Sequence, residues 1–298
     1  MDLSLSSGEV LALSCAFVWA LNGLILRTQS HKISPAAMNM TRCGVGGCCF
    51  WILLPFGDPL SNLGQVALHE WLLLGGSVVI GVVIGDTLYL SALREVGVAR
   101  TMPLVGTYPL TTLFFEWLLL QQPAGYNLLL GTCLVVAGVI LISTSWGGRS
   151  DSSGTIPRQL KLGVFLALSA AVLWGLSTVL LKPALTHISA VHASAVRMPL
   201  VALLLFLTKV LPDKEERLRG IDLRTFLVVA FSGILGMFVG SLMYLVALKD
   251  ASAGKVVTLT SFSPVFAVIM AAIFLQEKLN TRIVLGMGLC TGGVVLVV

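Results

Sequence analysis

Two stretches of the chain, GEVLALSCAFVWALNGLILR (8–27) and GVFLALSAAVLWGLSTVLLK (163–182), align without a gap at an offset of 155 residues. The alignment places Trp19 over Trp174, and the same offset continues to match residues along the rest of each half. Self-similarity at one constant offset is the signature of an internal duplication. The chain therefore contains two copies of one structural unit.

The two copies differ at one position that bears on function. The chain reads GDTLYLSAL at 85–93 and GSLMYLVAL at the equivalent 240–248, so Asp86 has Ser241 as its counterpart. Only the first copy carries a carboxylate there. Further matches at this offset are Arg27 with Lys182, Arg42 with Arg197, Gly81 with Gly236, Gly85 with Gly240, Tyr89 with Tyr244, Pro109 with Pro264, Gln121 with Gln276, Gly131 with Gly286, and Gly138 with Gly293.

The composition is that of an integral membrane protein. Hydrophobic residues make up 56% of the chain and charged residues only 11%, whereas a typical soluble domain has about a quarter charged residues. Continuous apolar runs recur, each long enough to cross a hydrocarbon core of about 30 Å as a helix. We predict an all-α integral membrane protein with ten transmembrane helices. The ten runs are 10–27, 36–56, 71–93, 101–120, 126–145, 162–182, 187–208, 225–248, 256–275 and 281–298.

The duplication divides these runs equally. We predict a first five-helix repeat at 8–145, a polar linker at 146–161 and a second five-helix repeat at 162–298. Because five crossings end on the side opposite to their start, the second repeat enters the membrane inverted. Inverted repeats (5+5) are typical of secondary transporters, whose substrate site lies near the bilayer midplane between the repeats.

The distribution of Lys and Arg predicts the orientation. Of the 19 basic residues, 14 fall on one predicted face and 3 on the other, while Arg42 and Arg197 lie within helices. Because cytoplasmic loops carry an excess of Lys and Arg, the crowded face is predicted to be cytoplasmic. Both termini are then outside, and the expected location is the cytoplasmic (inner) membrane.

Two sequence motifs indicate a family. Downstream of Pro264 the chain reads LQEKLNTRIVLGMGLCTGGVVLVV at 275–298. The first half has the similar stretch LQQPAGYNLLLGTCLVVAGVILI at 120–142. With these motifs and its duplication, the chain resembles the EamA-type members of the drug/metabolite transporter superfamily over nearly its whole length. The resemblance implies a ten-helix carrier and leaves the substrate open. The chain departs from the family pattern at Gln122, where a glutamate is usual, and in its predicted orientation.

Two carboxylates in predicted helices are candidates for proton coupling. Intramembrane charges are costly and usually face a cavity or a partner. Asp86 lies in the third predicted helix and Glu116 near the end of the fourth. A carboxylate in such a position can take up a proton on one side of the membrane and release it on the other, and Asp86 is the first candidate. The alternative is that either carboxylate pairs with Arg42 and holds the first repeat together.

The candidate substrate site combines arginines with aromatic and small polar residues. Arg42 and Arg197 are repeat-related, and they either bind an anionic substrate group or reach structurally towards the membrane interface. An aromatic pocket with a few polar groups suits a small amphiphilic metabolite. The other predicted substrate-binding residues are Trp19, Asn22, Tyr89, Tyr108, Trp174, Ser177, Ser241, Tyr244 and Ser263.

We therefore predict a secondary active transporter that moves an amino acid or a related amphiphilic solute by alternating access, with proton coupling or exchange. An exporter of hydrophobic cations that uses Asp86 is the main alternative, and a channel or a membrane enzyme is disfavoured. The sequence shows no metal cluster, nucleophile elbow or phosphate-binding loop, so we expect no enzymatic activity, metal or cofactor. The expected partners are a small-molecule substrate and the lipid bilayer, without nucleic acid, and a monomer is compatible with the sequence.

Overall fold

The computed structural model describes residues 6–29, 32–56, 59, 63–64, 66–145, 158–212, 221–274 and 280–298. Within these ranges the chain forms fourteen α-helices and no strand, which confirms the predicted all-helical class. The first half contains α1 (Ser7–Arg27), α2 (Pro35–Leu53), α3 (Leu68–Ser77), α4 (Asp86–Val96), α5 (Val98–Val105), α6 (Tyr108–Leu120) and α7 (Tyr126–Ser145). The second half contains α8 (Arg158–Ala184), α9 (Ala190–Leu205), α10 (Leu223–Ser232), α11 (Ser241–Asp250), α12 (Ala253–Thr260), α13 (Ser263–Phe274) and α14 (Thr281–Val297).

Several helical runs have the dimensions of membrane spans. Among the residues that the structure describes, seven runs are long and apolar enough to cross a bilayer, and Thr281–Val297 is a shorter apolar helix. The protein is accordingly a multi-pass integral membrane protein. The seven runs are Ser7–Leu26, Leu68–Val96, Tyr126–Thr144, Gln159–Ala184, Ala190–Val210, Leu223–Asp250 and Ala253–Met270.

Some predicted features lie outside the described residues. Most of the predicted linker (146–157) falls there, as does the junction after the ninth apolar run (275–279). The basic segment 213–220, which contributes to the predicted cytoplasmic charge, also lies outside the described residues.

Each copy contains a π-helical segment that the hydropathy pattern did not predict. Val78–Gly85 joins α3 to α4, and Gly233–Gly240 joins α10 to α11 at the equivalent place. In a π-helix an N–H donates to the carbonyl five residues back, as Asp86 does to Gly81. Glycine permits this close packing: a Cβ on Gly240 would lie 2.5 Å from Trp19 Nε1. The third helix of each copy is therefore widened where the first helix of the other copy meets it.

The structure interrupts two helices that the sequence predicted to be continuous. The predicted 101–120 helix is divided into α5 and α6 at 106–107, and the predicted 256–275 helix into α12 and α13 at 261–262. Pro109 and Pro264 stand at the start of the second segments. Proline has no N–H to donate to the preceding turn, so the helical hydrogen bonding is broken at the same level in both copies.

Helices α7 and α14, which are equivalent in the two copies, pack in opposite directions. A Cβ on Gly131 would lie 2.7 Å from the carbonyl oxygen of Gly293, and one on Gly286 would lie 2.8 Å from that of Gly138. Residue numbers rise along one helix as they fall along the other, so the two helices are antiparallel. The glycines bring the two backbones into direct contact, as small residues do in membrane helix pairs.

Helices α2 and α9 form a second equivalent pair with the same geometry. The Trp51 Nε1–H donates to the carbonyl oxygen of Ala195 over 2.9 Å. A Cβ on Gly44 would lie 3.7 Å from the Ala202 Cβ, so this pair is also antiparallel. Each copy also sends its first helix into the other, since α1 packs on α11 and α12 while α8 packs on α4 and α6.

Candidate functional site

A cavity of about 270 Å³ lies between the two copies and is walled by residues from both. The structure brings together there every residue that the sequence predicted to bind substrate, together with Asp86. These residues are Trp19, Asn22, Arg42, Asp86, Tyr89, Tyr108, Trp174, Ser177, Arg197, Ser241, Tyr244 and Ser263. Glu116 lies outside the cavity.

The aromatic walls follow the symmetry of the duplication. The Trp19 and Tyr244 ring centroids are 5.3 Å apart, and those of the equivalent Trp174 and Tyr89 are 5.1 Å apart. Tyr108 adds a third ring at 5.9 Å from Trp174. Each aromatic pair joins the first helix of one copy to the third helix of the other, so movement of the copies would change the shape of the cavity.

The two cavity tryptophans donate their indole N–H groups to different acceptors. Trp174 Nε1–H donates to Asp86 Oδ1 over 2.9 Å. The equivalent Trp19 Nε1–H donates to the carbonyl oxygen of Gly236, in the π-helical segment, over 3.4 Å. The substitution of Ser241 for Asp86 therefore changes the polar character of one wall, and the cavity is symmetric in shape and asymmetric in charge.

Two threonines that sequence reasoning did not select also line the cavity. The Thr178 hydroxyl is 2.8 Å from the Tyr244 hydroxyl, and the Thr260 hydroxyl is 2.9 Å from that of Tyr108. Thr178 lies four residues after Trp174, so the helical period placed it on the same face. Thr260 lies three residues before the predicted Ser263, so the same period places it on the face of that residue in the predicted 256–275 helix.

The two cavity arginines are buried, and the described residues provide no partner for them. Arg42 and Arg197 are each 5% exposed. Within the part of the chain that the structure describes, neither guanidinium group makes a hydrogen bond or an ion pair, and both Nε atoms are fully buried. The predicted alternative, in which Arg42 pairs with Asp86 or Glu116, is therefore not formed here.

Glu116 occupies a structural position at the start of another helix. Its Oε1 and Oε2 accept the backbone N–H groups of Ala253 and Gly254, each over 2.8 Å. Free N–H groups and the partial positive charge at a helix N-terminus favour a carboxylate there. Both oxygens of Glu116 are therefore engaged at the start of α12, away from the cavity.

We expect Glu116→Gln to destabilise the protein without affecting its cavity. A glutamine can accept only one of the two N–H groups, and its own NH₂ group faces the other. The expected loss is about 2 kcal/mol, typical of a hydrogen bond to a charged group. Thermal unfolding of the purified protein should show a lower midpoint for this variant and no change for the exposed control Glu95→Gln. A stable Glu116→Gln protein that has lost proton-driven transport would instead restore the predicted proton-coupling role.

Polar contacts between the two copies cluster at the end of the bundle where α1 begins, here called the α1 end. Glu9 forms an ion pair with Lys255. Glu70 Oε1 lies 2.7 Å from His187 Nδ1. The Glu116 contacts with α12 lie at the same end, as does a hydrogen bond over 3.2 Å from the Ser7 hydroxyl to Asp250 Oδ2. Side-chain contacts therefore connect the two copies at the α1 end.

Three of the four carboxylates at the α1 end have no acidic equivalent at the opposite end, the exception being Asp250, whose equivalent is Glu95. The 155-residue offset maps Glu9 onto Val164, Glu70 onto Thr225 and Glu116 onto Ala271. Because none of these residues is acidic, the equivalent carboxylate contacts cannot form. The two ends of an otherwise duplicated protein are therefore held together differently.

The described residues contain no group of three or more His, Cys, Asp or Glu side chains placed to hold a metal ion.

The apolar spans and the internal cavity between the copies are those of a multi-pass membrane protein. The chain belongs to the EamA-like transporter family, whose family model matches residues 6–144 and 161–298.

Similar proteins carry names of the same class. An uncharacterized transporter of Archaeoglobus fulgidus is 28% identical over 279 residues, which cover 93% of this chain and 92% of that protein. The uncharacterized transporter YvbV of Bacillus subtilis is 22% identical over 291 residues, covering 96% and 90%. A protein of known crystal structure aligns over 98% of both chains with a TM-score of 0.79 and 17% identity, which shows a shared fold.

Proposed function

We propose that the protein is a secondary active transporter that works by alternating access, rather than a channel or an enzyme. In this proposal it crosses the membrane ten times as two inverted five-helix repeats. The antiparallel packing of α2 with α9 and of α7 with α14 supports inversion. The observation that carries the proposal is the cavity itself, because its walls consist of equivalent residues from both repeats. Rocking of one repeat against the other would expose such a site to each side in turn.

The proposed substrate is a small metabolite such as an amino acid or a related amphiphilic solute. The cavity volume of about 270 Å³ is near the lower end of the range for ligand pockets, about 300–1,000 Å³. Aromatic rings would contact the apolar part of the solute, and the arginines, hydroxyls and Asp86 its polar groups. The second candidate is export of cationic compounds, which the position of Asp86 beside Trp174 favours through ion pairing and cation–π contact.

The proposed energy source is a proton gradient acting through Asp86, or else exchange of solutes. Asp86 is the acidic residue in the cavity wall, and the equivalent Ser241 cannot titrate. Asp86 thus gives the first repeat a proton-binding group where the equivalent residue of the second repeat cannot bind a proton. The transporter would then have a single proton-coupling site.

In the proposed orientation the protein lies in the cytoplasmic (inner) membrane with both termini on the external side. It rests on the 14-to-3 distribution of Lys and Arg between the two faces. The α1 end is then the external end, and we propose that its contacts between the repeats close the external gate.

We expect Gly23→Phe to block transport while leaving the fold intact. Gly23 lines the cavity, and a Cβ on it meets nothing within 4 Å. A phenyl ring can therefore enter the cavity without a backbone clash, and replacing a helical glycine favours the helix by up to about 1 kcal/mol. Gly288→Phe is the matched control, because a Cβ on Gly288 also meets nothing within 4 Å and the residue is exposed outside the cavity.

The measurement begins with a substrate. An overexpressing strain is screened for growth protection against amino acids, amino-acid analogues and cationic dyes, and the protective compound is then used in proteoliposomes. A carrier should give saturable counterflow that Gly23→Phe abolishes and Gly288→Phe preserves. Undiminished counterflow in Gly23→Phe would place the substrate path elsewhere, and flux without saturation would indicate a channel.

A further inference from the structure

The guanidinium groups of Arg42 and Arg197 lie in the wall of the cavity, where no described residue pairs with them. Both side chains are 95% hidden, and their Nε–H groups have no acceptor among the described residues. A buried charge without a partner destabilises a protein strongly, and intramembrane arginines normally pair with another group. Two such arginines at equivalent positions therefore indicate that the partner is a ligand.

The cavity wall contains more positive than negative charge. Among the lining residues that the structure describes, the charged ones are Arg42, Arg197 and Asp86, of which only Asp86 is acidic. One oxygen of that carboxylate already accepts the indole N–H of Trp174. With Asp86 ionised these three residues carry a net charge of +1, which repels a cation and which an anion would neutralise.

The packing of α2 against α9 sets the distance between the two arginines along the helix axes. The Pro199 ring lies at the level of Gly47 in this antiparallel pair. With a rise of 1.5 Å per residue, Arg42 and Arg197 are then separated by roughly 10 Å along the helix axes. Both side chains line the one cavity, so an acidic group held there can contact the guanidinium groups from two directions.

A second unpartnered atom lies in the same wall. Asn22 is buried, and its Oδ1 has no hydrogen-bond donor among the described residues. As an acceptor it complements the guanidinium donors, because a substrate with both an acidic group and an N–H or O–H donor satisfies both. The aromatic pairs of the walls provide apolar contact for the rest of such a molecule.

We propose that Arg42 and Arg197 bind the acidic group of the transported solute, so that the substrates are small organic acids with an apolar or aromatic body. This inference rests on the proposed function, in which the cavity is the substrate site. A guanidinium fork matches the two oxygens of a carboxylate in geometry as well as charge. The arginines thus select for an anionic group and against hydrophobic cations.

The test compares three probes of nearly equal shape on the full-length protein in lipid nanodiscs. Phenylacetate carries a negative charge, phenylacetamide none and phenethylamine a positive charge. Of the three probes, we expect only phenylacetate to bind in a calorimetric titration. We likewise expect only phenylacetate to raise the thermal unfolding midpoint of the protein.

Arginine variants separate ligand binding from a structural role. Arg42→Gln and Arg197→Gln should each raise the dissociation constant for phenylacetate by about 30-fold or more, as expected for loss of one side of a buried charge contact. The unliganded variants should unfold at the same temperature as the parent or higher, because an uncompensated buried charge has been removed. Arg94→Gln, at an exposed position outside the cavity, should change neither quantity.

Three results would overturn the inference. The first is that phenethylamine or phenylacetamide binds as tightly as phenylacetate, and the second is that no probe binds. The third is that the arginine variants lose stability while keeping their affinity, which would make the arginines structural. For the second result, counterflow of the protective compound that Gly23→Phe abolishes would keep the cavity as the substrate site. For the other two, binding of the probes to Gly23→Phe separates failure of this inference from failure of the proposed function. If the substitution blocks binding of the cationic probe, the cavity remains the substrate site and only the anion preference falls; if phenylacetate binding survives in this variant, the cavity is not the site.

Discussion

Asp86→Asn should reduce substrate uptake driven by a pH gradient to the level of protein-free liposomes, while counterflow of the same substrate continues. Asparagine has nearly the same shape as aspartate, and its Oδ1 can still accept the indole N–H of Trp174, 2.9 Å away in the parent protein. The substitution therefore removes the proton-binding group and leaves the wall in place. The measurement is uptake into proteoliposomes with and without an imposed pH gradient.

The control for this experiment is the same chemical change at the other buried carboxylate. Glu116→Gln also replaces a buried carboxylate with an amide, but it lies outside the cavity at the start of α12. Proteoliposomes with matched amounts of folded Glu116→Gln protein should retain gradient-driven uptake. Undiminished gradient-driven uptake in Asp86→Asn would remove proton coupling from this residue and favour exchange.

Cross-linking the two repeats at the α1 end should stop transport completely and reversibly. The Ser7 hydroxyl and Asp250 Oδ2 are 3.2 Å apart and belong to different repeats. In a Ser7→Cys/Asp250→Cys protein, a short bifunctional methanethiosulfonate reagent can join the two thiols. Alternating access requires the gate at this end to open, so the tethered protein should be inactive until a reductant cleaves the link.

Proteins with Ser7→Cys alone or Asp250→Cys alone, treated in the same way, should remain active. In all of these proteins the exposed Cys48 and Cys133 are first replaced by serine. A membrane-impermeant reagent also checks the orientation, because it should react from outside intact cells only if the α1 end is external. Full activity of the tethered protein would contradict a gate at this end. Reaction only after the cells are opened would reverse the proposed orientation and leave the gate itself unaffected.

The sequence alone determined the class of the protein and many of the residues that line its cavity. The long apolar runs predict transmembrane helices, because a single segment in lipid must satisfy the hydrogen bonds of its own backbone. The constant offset then relates Trp19 to Trp174 and Tyr89 to Tyr244, and the helical period places Asn22 and Ser177 on the faces of those tryptophans. These are local or repeating patterns, which is why they can be seen without coordinates.

The tertiary structure alone decided what each polar group contacts. Glu116 and Asp86 are both acidic residues in apolar runs, yet one binds the start of α12 and the other faces the cavity. The sequence also could not show that Arg42 has no partner among the described residues, or that each copy contains a π-helical segment. The physical reason is that a hydrogen bond or ion pair depends on angstrom-scale distances between segments far apart in the chain, and these follow from helix packing rather than from periodicity along one helix.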